Sequence, residues 1–287
     1  MKRMRIMGLC LVAAFAISAI AAVSASALPE VGRCIAQPST GKSKDAGCIV
    51  KAKTLVSEKN FEWHKGAAGE LVGVGFTASG GVGTLETESG TTITCKTQSA
   101  SGKWDQDTGI IKEVETVVAT FKGCELPLLT AECKTVGSAP GEIKTAKLKG
   151  ALGYVSGEKT LPPVIPVVGQ ELKAEAGTKA AFATFECGGG AVKVIVKGSL
   201  KSVIVGGVEH KGGACLIAPL SEVDVMSTTV NQTYSGSGGN QEPSHFQIAT
   251  WKYCNLESNT NAGPFEKATQ ALVTTVTGEE ALEVKAQ

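Results

Sequence analysis

The sequence predicts an all-β fold: an antiparallel β-sandwich or barrel-like stack of many short strands, braced by disulfides. Three observations carry that expectation. Short runs rich in Val, Ile and Thr recur along the chain, Gly, Ser and Asn bound them, and eight cysteines follow an N-terminal segment with the pattern of a secretory signal. The 287 residues are 43% apolar and 19% charged, which suffices to bury a core and is too apolar for a disordered chain.

In chain order, Lys2, Arg3 and Arg5 form a basic start, and an apolar run follows from Ile6 to Ala22. Ala25-Ser26-Ala27 then supplies the small residues a signal peptidase needs, so residues 1–27 read as a signal peptide cleaved between Ala27 and Leu28. No transmembrane segment is expected after its removal. Neither Cys10, preceded by Leu9, nor Cys34, preceded by Arg33, has the small preceding residue of a lipoprotein site.

Residues 28–69 read as an N-terminal disulfide loop region, with one weak helical candidate from Ser57 to Gly66. A first β unit spans 70–160. Its runs are 70–77, 91–97 and 110–121; in the last, Val114, Thr116, Val118 and Thr120 alternate against Glu113, Glu115, Val117, Ala119 and Phe121. The stretch 161–169 has three prolines in nine residues and reads as a stiff connection. A second β unit spans 170–287, with runs at 179–187, 191–198, 221–230 and 270–278. The alternative is one continuous domain over 28–287. An outer-membrane barrel also alternates, but it carries aromatic girdles at both interfaces, and three Trp and three Tyr cannot build them.

Cys34, Cys48, Cys95, Cys124, Cys133, Cys187, Cys215 and Cys254 remain after signal removal, an even count that argues for disulfides in an oxidising compartment. Short separations favour Cys34–Cys48 and Cys124–Cys133, leaving 95–187 and 215–254 as the remaining pairs. No C-x-x-C pair exists, so a structural zinc site is not expected.

Charge and site-building residues exclude several function classes. Losing Lys2, Arg3 and Arg5 leaves 25 basic against 27 acidic residues, a net charge of −2, and the basic residues are almost all lysine. Lysine offers a point charge rather than the guanidinium fork, so no nucleic-acid partner is expected. Residues 36–43, AQPSTGKS, satisfy a relaxed phosphate-loop pattern but lie between two cysteines, without the preceding buried strand and following helix that aim N–H groups at phosphates. No nucleotide or other cofactor is expected. Trp104-Asp105-Gln106-Asp107-Thr108-Gly109 begins like a calcium loop, yet Thr116 stands where the twelfth-position Glu belongs, so it reads as a hairpin turn. His64, His210 and His245 lie in no catalytic context, no G-x-S-x-G occurs, and no catalytic or metal-binding residue is assigned.

The stretches TTITCKTQSASG, VVATFKGCELP, AECKTVG and GEIKTAKLKGALGYVSGEK, with the ending EEALEVKAQ, resemble a group of secreted β-rich proteins of soil actinobacteria. The resemblance covers the chain from Glu70 onward. Its members carry no assigned activity, so it implies export and a β-rich fold and transfers no catalytic residue.

The expected function is that of an exported, non-enzymatic protein, secreted or at the cell surface, with a binding or structural role toward an extracellular or cell-envelope ligand. The alternatives are a secreted glycosidase using a carboxylate pair and a carbohydrate-binding module. The module needs exposed rings, and Trp104 and Trp251 are the stacking candidates.

Overall fold

The computed structural model describes residues 30–45, 48, 50–53, 55–65, 75–104, 113–155, 167–205, 208–209, 216–220, 226–230, 234–235, 240–241, 245–247, 251–253, 256–278 and 282–285. The signal-peptide segment and the Ala27/Leu28 junction lie outside them, as do Cys215 and Cys254. Among the described residues the fold is all-β, with helix confined to three single turns, Val56–Glu58, Pro127–Leu129 and Gly188–Gly190. The helical candidate at Ser57 is corrected: one 3-10 turn forms there, and the chain then extends as the strand Phe61–Lys65. Phe61 and Trp63, two residues apart, share a face of a pleated strand and not of a helix.

Most strands between residues 75 and 278 hydrogen-bond into one closed ring of eight antiparallel staves. The first stave is Gly75–Gly80 followed by Gly83–Thr87, and the second is Thr92–Cys95 followed by Thr97–Trp104. Glu113–Lys122 and Glu125–Leu126 make the third. Ala131–Lys134, Ile143–Lys144 and Leu148–Val155 make the fourth, and Val167–Ala174 with Ala181–Cys187 the fifth. The sixth is the single strand Val192–Val205, the seventh is Met226–Val230 with Leu256–Thr260, and the eighth is the single strand Glu266–Gly278.

Each stave pairs with the next in chain order. The eighth returns to the first through Thr274↔Gly80 and Ala268↔Thr87, so the ring closes and exposes no sheet edge. Strands on either side of the Pro-rich stretch are therefore direct neighbours, Leu148–Val155 against Val167–Ala174.

Six of the eight staves are broken at one level, which forms a waist between a lower and an upper half. Only Val192–Val205 and Glu266–Gly278 run through both. In the eighth stave the interior residues keep strict period two: Ala268, Gln270, Leu272, Thr274 and Val276. The broken staves insert residues at the waist, and one extra residue moves every following side chain to the other face. In the second stave the interior set is therefore Ile93 and Cys95 above Lys96, and Gln98, Ala100 and Trp104 below it. The third stave has a second shift inside its lower half. Thr116 sits at φ 51°, with its N–H donated to the Glu175 carboxylate at 3.2 Å, and the interior passes from Val114 to Val117, Ala119 and Phe121. The uniform alternation expected from 114 to 120 is thereby corrected.

A separate five-stranded sheet joins the two ends of the chain. Glu30–Ala36 pairs with Phe61–Lys65 on one side and with Leu282–Lys285 on the other, and the latter continues through Leu216–Leu220 to Val208–Glu209.

Three disulfides brace this frame. Cys34–Cys48 closes the N-terminal loop as the spacing predicts, with Cα atoms 5.6 Å apart. The expected 124–133 and 95–187 pairs are corrected to Cys95–Cys124 and Cys133–Cys187. All four cysteines stand in one row across adjacent strands, since Thr94↔Glu125, Glu125↔Glu132 and Cys133↔Cys187 are in register. The Cys133 N–H donates to the Cys124 carbonyl at 2.9 Å, while the Cys124 N–H donates to the Gly141 carbonyl, so Cys124 and Cys133 share one ladder bond. Facing residues that share no ladder bond come closer, with Cα atoms about 4.5 Å apart, which favours bridging across the outer two positions.

Candidate functional site: the barrel interior

An eight-stranded barrel is just wide enough for its side chains to fill it or to hold one small ligand. Here the interior contains two small chambers, one above the waist and one below, both partly open to solvent. Phe121, Phe182 and Gln270 border both, so these three residues form the partition between them. The upper chamber is walled by Ile93, Ile143, Phe185, Val196 and Leu256. The lower one is walled by Phe76, Val117, Leu148, Leu172, Leu200 and Leu272.

Polar groups in the lower chamber are few and uncharged. Thr274 Oγ1 donates to Gln98 Oε1 at 3.2 Å, a fully buried side-chain pair. Gln170 contributes an amide whose Nε2 is shielded from solvent and has no hydrogen-bond partner. No Lys, Arg, Asp or Glu is among the described residues lining either chamber. The alternation of the fifth stave explains this. Gln170 and Leu172 point inward, while Glu171 and Lys173, between and after them, share the opposite phase and pair at 3.5 Å.

Phe76 lines the lower chamber, and the packing behind it is aromatic. Trp104 is 1% exposed and its ring centroid lies 5.7 Å from that of Phe76 at 49°. Gly102 makes the stack possible, because a Cβ there would stand 2.6 Å from the Phe76 ring and 2.8 Å from Val117. Trp104 is thus corrected from an exposed stacking platform to a buried plug. The phase shift at Lys96 turned it inward. Trp251 lies in the strand Trp251–Tyr253, and its side chain is outside the described residues.

The phosphate-loop-like segment is occupied by its own surroundings. Gly41 N–H donates to the Gln37 and Lys59 carbonyls, and the N–H groups of Lys42 and Ser43 both donate to the Phe61 carbonyl. The Lys42 ammonium binds the Glu62 carboxylate. That hydrogen bond, followed by the charge of Lys42, holds the Glu62 carboxyl below the usual carboxylate range. Asp105, Asp107 and His210 lie outside the described residues, and His64 Nε2 sits 3.5 Å from the Gln37 amide.

No protein-family model, curated protein or solved structure matches this chain.

The barrel chambers therefore stand on their own geometry. Sequence reasoning missed Gln98, Gln170, Gln270 and Thr274. One signal was present: in QALVTTVTG a glutamine and a threonine share the phase of Leu272 and Val276, which places polar groups on a face otherwise committed to the core. Gln98 lies beyond the phase shift at Lys96, where simple alternation misplaces it, and Gln170 follows the Pro-rich stretch that reads as a connection.

Proposed function

We propose that this is an exported, non-enzymatic protein that carries or captures a small apolar molecule inside its barrel. The observation that carries the reading is a closed barrel whose interior is apolar, uncharged and not completely filled. Apolar space of this kind stays poorly hydrated, so a hydrophobic guest gains contact without displacing well-bound water. The eight cysteines and the signal-like N-terminus support export, and the three disulfides fit an oxidising compartment. A carboxylate-pair glycosidase draws no support from the chambers, whose described lining holds no carboxylate.

The test is an equilibrium titration of the mature protein with Nile red, a neutral dye that brightens in apolar surroundings. The reading predicts saturable binding that Ala100→Leu, which fills the lower chamber from the second stave, weakens at least about fivefold. Dye binding indifferent to this variant and to a matching Ala183→Leu in the upper chamber would sink it.

A further inference from the structure

The lower chamber also carries information about what it accepts. A buried amide N–H without a partner costs stability unless a partner arrives, and the Nε2 of Gln170 is such a donor. It lies on a wall that includes Leu172, Leu200 and Val276 and no charged group among the described residues. The other buried polar groups here satisfy each other, Thr274 donating to Gln98.

Resting on the reading of the barrel as a binding chamber, we propose that its ligand is a neutral, mostly apolar molecule bearing one hydrogen-bond acceptor oxygen, such as an ester, ketone or amide carbonyl, and that Gln170 Nε2 donates to that oxygen. Two energetic costs set the class. A pure hydrocarbon leaves the donor unsatisfied, so it forgoes the gain that a carbonyl makes. A carboxylate satisfies the donor but brings a full charge into a chamber with no lining cation, and an unpaired buried charge is far costlier than an unpaired amide. The acceptor oxygen is thus required to be uncharged.

The experiment compares three ligands of similar length, undecane, methyl decanoate and decanoate at pH 8, by displacement of Nile red from the full mature protein. Methyl decanoate is expected to bind about five- to tenfold more tightly than undecane, the worth of one buried hydrogen bond. Decanoate is expected to bind at least about a hundredfold more weakly than the ester. Gln170→Leu should erase the advantage of the ester and leave undecane unchanged. It should also leave the ligand-free melting temperature equal or higher, because it removes an orphaned donor. A merely structural glutamine would instead lower it. Gln170→Met repeats the comparison with a side chain of closer shape, should the leucine variant fail to fold.

An ester preference that survives both substitutions overturns the assignment to Gln170, and equal binding of decanoate overturns the neutral-ligand class. Either leaves the chamber reading intact. Failure of all three ligands to displace the dye, or of the dye to bind, overturns that reading as well.

Discussion

Cys133 and Cys187 face each other in register across two antiparallel strands and are also joined by a disulfide, with Cα atoms 4.0 Å apart. Cys95 and Cys124 repeat the arrangement two strands away, at 3.9 Å. Between them lies the hairpin of Glu125–Leu126 and Ala131–Lys134, the shortest pair of strands in the upper ring. It contacts one neighbour through the single register pair Thr94↔Glu125 and the other through two. So few ladder bonds are a weak closure for a barrel, and the two covalent bridges hold the hairpin on both sides.

Loss of either bridge is therefore expected to be severe. The loops closed span separations of 29 and 54 residues, for which the chain-entropy model gives about 3.5 to 4 kcal/mol each. Cys133→Ser with Cys187→Ser should lower the urea midpoint accordingly, and a non-reducing peptide map should recover 95–124 and 133–187 linkages. Recovery of a 124–133 peptide would contradict the row as described.

Thr145 ties the waist together. Its N–H donates to the Ala119 carbonyl at 2.9 Å, and its Oγ1 accepts the Ala119 N–H at 3.0 Å, so a side chain completes a ladder that the backbone leaves at this point. The following residue, Ala146, donates to the Phe182 carbonyl of the fifth stave. Thr145→Val keeps the shape and orphans the buried Ala119 N–H, with an expected cost of about 1 to 3 kcal/mol in chemical unfolding. Thr145→Ser keeps the oxygen and should lose clearly less; equal losses would show that the hydroxyl is not the cause.

Trp104, buried against Phe76, should emit in the blue and resist acrylamide, whereas the half-buried Trp63 should be quenched. In Trp104→Phe the resistant component should vanish. Its stability cost should stay below about 2 kcal/mol, since the lost ring volume is offset by removal of an indole N–H that has no partner. Strong quenching of every tryptophan would restore the exposed-platform reading.

Glu142 supplies a pH signature outside the barrel. A hydrogen bond from the Lys144 ammonium at 2.9 Å, then the charge of that ammonium, holds its carboxyl below the ordinary glutamate range. A folded-state value below the unfolded one means that the contribution is present above the ordinary range and is lost as the pH falls through the folded value. Carboxyl NMR should show Glu142 titrating at lower pH than an unpaired glutamate, and Lys144→Met should move it back up. An unchanged titration in that variant would remove Lys144 as the cause.

The sequence exposed those parts of the fold whose information is local. The run AVKVIVKG alternates because this stretch of its stave has one wetter and one dry face, and β-branched residues suit that pleat. The single-strand sixth and eighth staves kept their phase, so their inward residues are legible directly. The pairing of Cys34 with Cys48 is equally local, a short loop closed by its own ends.

Phase shifts hid the rest. At Lys96 and Thr116 one residue more or less reverses every side chain that follows, and no composition signal distinguishes a bulge from the strand around it. Trp104 is the clearest case: a tryptophan beside turn-forming residues reads as exposed, yet counting inward residues from Gln98 makes it a plug.

Local sequence dictates the all-β class, the strand material and the Cys34–Cys48 disulfide within reach of its own loop. Closure of the ring, the row of four cysteines and the uncharged chambers depended on which distant strands became neighbours, above all Glu266–Gly278 returning to Gly75–Gly80. Ladder bonds are made by backbone groups that every residue shares. Strand partners are therefore selected only when all eight staves bury their inner faces together, and that selection placed Gln170 inside an apolar wall and Glu171 outside it.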